Sequence, residues 1–306
     1  MFIFKPGDFF FQKIHPIALI IYILTLFSIT IISNHPVILC TVLIITVLSV
    51  ISVGAVGDIK DSFAFILRMT LIFIIINCLT NKNGRTIIWR GPNIPVFGRL
   101  QISLEALIYA LMMGIRLSGV LSVFILQNKS MNPDALLSYM ALIFPRSALL
   151  VSMTTKTIPY LAQLSNRVGE VMSVMGLDID GKRYKGTVKN RLPIIKVIFM
   201  SSIEDSLSIA ESIQARGYGS GGRSRYFTYR WRMRDTVVLA SSIWAIISFI
   251  ILARSGGIFY RYYPRLGKIV SFKQNIHVYI NLLIGLSIPA FMGWGWRYCR
   301  YLKYRI

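Results

Sequence analysis

Acidic residues are scarce in this chain, and so are cysteine, histidine and charge of any kind. Twelve Asp and Glu stand against 34 Lys and Arg, a formal net charge of +22 over 306 residues. Only 15% of the residues are charged while 55% are hydrophobic, which excludes an ordinary soluble domain. The positive excess alone would suit nucleic acid or an anionic surface. The hydrophobicity selects the lipid surface, and no nucleic-acid partner is expected. Cys40, Cys78 and Cys299 form no CxxC pair, so neither a disulfide framework nor a thiolate metal site is indicated, and buried structural thiols are expected. His15, His35 and His277 lie far apart at segment ends and no carboxylate pair falls within an apolar run. Neither a catalytic residue, a metal site nor a cofactor is therefore predicted.

What the chain has is long apolar runs. Ile14 to Ser33 is about 20 residues long, exceeds a signal-peptide core and is followed by no small-x-small cleavage pattern, so it reads as a retained membrane helix. Asn34-His35-Pro36 makes a tight turn into Val37 to Val56, and Phe63 to Leu79 follows a short polar loop with Asp58, Lys60 and Asp61. Two short extended pieces, Thr86 to Trp89 and Ile94 to Phe97, predict a hairpin-like loop. The fourth span begins at Ser103 and Ala106, reaches Leu126 and carries Arg116 near its middle. An arginine at the centre of a span costs about 2.5–3.5 kcal/mol. It therefore faces protein or water, or snorkels to the surface. Thr236 to Ala253 and Val278 to Trp296 complete six candidate spans, the last of them alternatively a re-entrant or surface segment.

Between the fourth and fifth spans the character changes. Asn132-Pro133-Asp134 starts a short helix that Phe144-Pro145 ends, and a longer one runs from Ser147 to about Val174, kinked at Pro159 and closed by Gly176. Asp178 to Arg191 reads as a basic linker, with Pro193 in the first turn of the next helix. Arg223, Arg225, Arg230, Arg232 and Arg234 form a basic run suited to lipid phosphates, or a plain positive flank to the span. Placing the amino terminus inside puts 23 Lys and Arg on the inner segments and nine on the outer loops, with Arg68 and Arg116 inside spans. The positive-inside rule favours that orientation in the cell membrane. The expected architecture is an all-α polytopic membrane protein of five or six transmembrane helices. Residues 1–127 form a four-helix membrane region, 128–235 a cytoplasmic insert, and 236–306 a membrane region with one or two spans and a basic tail.

The insert ends in Ala210-Glu211-Ser212-Ile213-Gln214-Ala215-Arg216-Gly217-Tyr218. Ile203, Leu207, Ala210 and Ile213 recur at three- and four-residue steps, so one side of the helix can pack while Glu204, Asp205 and Glu211 stay wet. Gly217 stops the helix in a left-handed conformation, and Arg216 sits where a cation suits the macrodipole. A guanidinium on so firm a stem can fork onto a carboxylate of another protein. Arginine before glycine is also ordinary capping chemistry. Two other matches carry no chemistry. Gly176 to Lys182 has the spacing of a phosphate loop but Arg183 where Ser or Thr is needed, and Gly217 to Gly222 spells a dinucleotide fingerprint without a preceding strand.

Pro133 with Asp134, Phe144-Pro145, Ile158-Pro159-Tyr160-Leu161 and Ala215-Arg216-Gly217 together resemble the CbiQ-like T component, the coupling subunit of energy-coupling factor transporters. The resemblance covers Phe11 to Asp235. It implies a non-catalytic membrane subunit joining a substrate-binding S component to two ABC-type ATPases, which power uptake of a vitamin or a transition-metal ion. It also implies two Ala-Arg-Gly-like motifs that dock the ATPases. The second is intact at Ala215, Arg216 and Gly217. At the first, Val174-Met175-Gly176, Met175 stands where the arginine is expected, removing a charge-assisted anchor worth about 1.5–3 kcal/mol. Pro159 and Gly176 are then candidate hinges between two helix arrangements. A self-sufficient secondary transporter or channel is the alternative, and would want internal repeats and paired polar groups at midplane.

Overall fold

The computed structural model describes residues 9–80, 86–94, 98–175, 184–221, 230–262 and 275–298. Gly176, the start of the expected linker, Arg223, Arg225, Cys299 and the basic tail lie outside them. In chain order the elements are α1 (Phe10–Lys13), α2 (Pro16–Ile32), α3 (Pro36–Ser52), α4 (Val56–Thr80), β1 (Ile87–Ile94), β2 (Gly98–Ser103), α5 (Leu104–Ser130), α6 (Pro133–Ile143), α7 (Pro145–Val174), α8 (Tyr184–Ala215), α9 (Met233–Arg254) and α10 (Ile276–Tyr298). The fold is all-α apart from the antiparallel β1–β2 hairpin, whose register pairs Ile87 with Ser103 and Ile94 with Gly98. Its second strand therefore follows the stretch expected from sequence rather than occupying Ile94 to Phe97. The chain divides into two compact units, Met1–Asn132 with Tyr229–Ile306, and Pro133–Thr228.

The first unit is built of apolar helices that bury one face and expose another equally apolar one. On α2 the residues Ala18, Leu19, Tyr22, Leu26 and Ile29 are buried at helical spacing, while Ile17, Leu24 and Ile31 are exposed. In water such an outer face would be unfavourable; against acyl chains it is not. Residues 104–130, 233–254 and 276–296 are long and apolar enough to cross a membrane. The helices α2 and α3 are shorter, 17 residues each, the lower end of the spanning range at about 25 Å. Tyr22 holds three of them together, its hydroxyl donating to the Leu286 carbonyl at 3.3 Å and lying 3.4 Å from Ser49 Oγ.

Contacts at the helix ends establish direction. The beginnings of α2 and α9 meet where the His15 N–H donates to Asp235 Oδ1 at 2.9 Å. Their far ends meet where the Asn34 N–H donates to the Ile258 carbonyl at 3.1 Å. Likewise α3 and α10 start together, with the His35 and Tyr279 rings 5.5 Å apart, and remain together as far as Ser52 and Gly293. Both pairs are parallel, as alternating spans require of the first with the fifth and the second with the sixth. The last helix accompanies α3 along its length.

Arg116 resolves differently from a midspan charge. Although central in a 27-residue helix, it meets the turn between α2 and α3. One Nη2 donates to the Ser33 carbonyl at 2.6 Å and to Asn34 Oδ1. The guanidinium thus closes the carboxyl end of α2, where both free carbonyls and the helix dipole favour a cation. Tyr262 joins from beyond α9, its hydroxyl donating to the Asn34 carbonyl at 2.8 Å. Two further sequence readings need correction. Asp58 lies in the first turn of α4 rather than in a loop, and its carboxylate pairs with Lys129 Nζ at 3.0 Å. Cys40 is half-buried, not buried, since α3 turns that side only partly inward.

Candidate functional site

The second unit consists of α6, α7 and α8, with α7 packed against both neighbours. Its described residues bury little: only Ala135, Ala148 and Ile194 among the apolar ones. Long side chains such as Leu150, Ile158, Phe199, Met200 and Leu207 stand exposed instead. A helical layer with so little buried apolar surface, and so much exposed, has the composition of an interaction surface.

The third helix is longer than its sequence suggests. It begins at Tyr184, so the second half of the expected linker is helical and Pro193 falls inside α8 rather than in its first turn. Its end is built as expected from Gly217. That residue has φ +70°, and the Tyr218 N–H reaches the Ile213 carbonyl at 3.2 Å while the Gly217 N–H reaches Gln214 at 2.9 Å. This double closure is a Schellman motif, which places Arg216 at the C-cap. A Cβ at Gly217 would lie 2.9 Å from Ser220 Oγ as well as in a strained backbone. Ala215, Arg216 and Gly217 are all exposed.

Among the described residues, the last turn of α7 carries no basic side chain. Met175 is the C-cap, 74% exposed, and Val174 is 88% exposed. Two bare apolar side chains at a helix end have no folding role in this unit. Pro159 lies within α7, where it supplies no N–H to the Thr155 carbonyl. Of the stripe on α8, Ile203, Leu207 and Ala210 are exposed and Ile213 is half-buried. The structure thus turns most of that face outward.

One contact escaped the sequence. The Tyr160 hydroxyl donates to Asp205 Oδ2 at 3.0 Å, linking α7 to α8 beside Pro159. Asp205 was expected merely to stay wet, and no local pattern joins residues 45 positions apart. The hydrogen bond to Asp205, and then the charge of that carboxylate, hold the Tyr160 phenol above its ordinary range. The sign follows: the contact stabilises α7 against α8 fully below the ordinary tyrosine pKa of about 10, and is lost as pH rises through the elevated value. Distances between spin labels on α7 and α8 should therefore lengthen at high alkaline pH in the parent protein. Tyr160→Phe should show the longer distance at all pH values, without that transition.

No family model matches the chain. Curated proteins do. It is 28% identical over 251 residues to the energy-coupling factor transporter transmembrane protein EcfT of Streptococcus thermophilus, covering 76% of this chain and 89% of that one. The EcfT of Bacillus subtilis is 22% identical over 78% of this chain and 92% of its own. Over most of its length the chain is thus similar to energy-coupling factor T components. A third relative, the EcfT of Exiguobacterium sibiricum, is 24% identical over 182 residues, 56% of this chain and 66% of that protein. These relatives are transmembrane proteins of energy-coupling factor transporters, in keeping with the apolar helices of this chain. The exposed ends of α7 and α8 are where it differs most from a self-contained membrane helix bundle.

Proposed function

We propose that this chain is a T component that couples two ABC-type ATPases to a membrane-embedded S component, and performs no covalent chemistry itself. The observation that carries the reading is Arg216, exposed on the C-cap of a 32-residue helix and fixed there by the Schellman closure. A guanidinium so placed loses little freedom on pairing with a carboxylate in an ATPase groove. Met175 and Val174 serve the other ATPase through apolar contact, methionine adapting readily to an irregular groove. The outward stripe of Ile203, Leu207 and Ala210, with Ile213 at its edge, transmits the motion to the S component, with Pro159 as hinge. Residues 128–235 form the cytoplasmic coupling region between membrane regions 1–127 and 236–306. The amino terminus is cytoplasmic, and the protein resides in the cell membrane. The cargo is a vitamin or a transition-metal ion, recognised by the S component.

Co-purification from native membranes tests this directly. The unaltered chain should bring down ABC ATPases and a small membrane protein. At matched expression and folding, Arg216→Glu should lose at least one ATPase, because it puts a carboxylate against a carboxylate. Recovery of no ATPase with the intact chain would reject the coupling role and favour an autonomous transporter.

A further inference from the structure

The end of the first unit where α9 begins contains a second arginine with a different environment from Arg116. Arg234 is only 5% exposed. Its Nη2 donates to the Lys13 carbonyl, but Nε and Nη1 are buried with no hydrogen-bond acceptor among the described residues. Asp235 approaches Nε only to 3.8 Å, beyond hydrogen-bonding reach. Both its oxygens already accept backbone N–H groups, from His15 and from Arg232, each at 2.9 Å.

Trp296, 7% exposed, lies beside this guanidinium, 5.7 Å from ring centroid to Cζ. Its indole Nε1 is likewise buried without an acceptor among the described residues. Lys13 Nζ sits 5.7 Å from the same ring. Among the described residues, the cluster sets the cations of Arg232 and Arg234 beside one carboxylate, Asp235. It also lies at the amino end of a 22-residue helix, the positive end of the dipole, where a further cation is disfavoured.

Guanidinium and indole nitrogens only donate, so what completes this cluster must accept several hydrogen bonds and carry negative charge. We propose that Arg234, Trp296 and Lys13 form a site for a phosphate-bearing anion at this end of the membrane unit. A phosphate presents acceptor oxygens to a guanidinium in the geometry that favours arginine. A tryptophan at the end of a span is placed at headgroup level. Two sources share the chemistry: the headgroup of an anionic phospholipid and a free phosphate.

The full-length chain, purified in detergent, distinguishes them. One arm measures phosphatidylglycerol retained against phosphatidylcholine by native mass spectrometry. The other measures the thermal shift with inorganic phosphate against chloride at constant ionic strength. Preferential retention of phosphatidylglycerol assigns the site to lipid; a phosphate-specific shift without it assigns the site to free phosphate. In either case Arg234→Gln should weaken the effect by about tenfold or more, as expected for losing a charged hydrogen bond, and Trp296→Phe by about fivefold for a neutral one. Trp296→Phe keeps an aromatic ring in place and decides the matter should Arg234→Gln fail to fold. Absence of both effects in the parent chain, or effects unchanged in every variant that folds, would overturn the site.

Discussion

Asp235→Ala should lower the stability of the membrane unit by about 3–5 kcal/mol, the usual result of leaving a buried charge without its partner. Asp235 is 1% exposed and ties the start of α2 to the start of α9. Its Oδ1 takes the His15 N–H at the start of α2 and its Oδ2 takes the Arg232 N–H at the start of α9. It is also the carboxylate nearest Arg234, 3.8 Å from Nε. Alanine removes all three relations together, leaving the buried His15 N–H unpaired at about 1–3 kcal/mol, the part-buried Arg232 N–H without its cap, and an uncompensated guanidinium. The terms share partners and do not simply add. Thermal unfolding in detergent should show a large downward shift for Asp235→Ala and a smaller one for Asp235→Asn, which keeps one acceptor oxygen. A variant as stable as the parent would mean that α2 and α9 are not joined through this carboxylate.

Gly285→Leu should separate α9 from α10 and cost about 1–3 kcal/mol or more, as overpacking does. A Cβ at Gly285 would stand 3.2 Å from three atoms: the Ala245 Cβ, the Ala245 nitrogen and the Ser241 carbonyl oxygen. Two of these belong to backbone and cannot swing aside. Close approach through small residues is how membrane helices gain dispersion contacts when lipid removes the hydrophobic drive between them. Cross-linking between cysteines placed on α9 and α10 should fall in Gly285→Leu, while unfolding moves to lower temperature. Gly57→Ala serves as the control, since no atom lies within 4 Å of a Cβ there. If both glycine variants behaved alike, close packing at Gly285 would not be what holds the pair.

The membrane helices were legible because lipid demands long apolar runs, and Asn34 and Pro36 punctuate them with strong local preferences. The stop at Gly217 could be read from one dipeptide because a left-handed residue is a local requirement. Pro193 misled for the opposite reason. Proline favours a first turn when only local energetics act, yet α8 extends on both sides of it. Arg116 looked costly in its own helix, and its answer lay in carbonyls at the end of α2, 82 to 83 residues away. The Tyr160–Asp205 contact and the Asp235 junction were equally out of reach, since a polar pair distant in sequence leaves no periodic trace. At the candidate site, cap chemistry singled out Arg216, and the resemblance to T components singled out Met175. They did not foresee how much of the stripe from Ile203 to Ala210 would face outward.

The parallel pairing of α2 with α9 has a consequence for how the protein is made. The residues that close it, His15 and Asp235, are 220 positions apart, which a ribosome working at about 5–20 residues per second crosses in roughly 10–40 s. Throughout that interval the faces of α2 and α3 that α9 and α10 will cover stay open, although α5 already packs on both. Nascent chains arrested before Met233 should therefore be the ones that membrane quality-control proteases recognise, and chains arrested after Tyr298 should escape them.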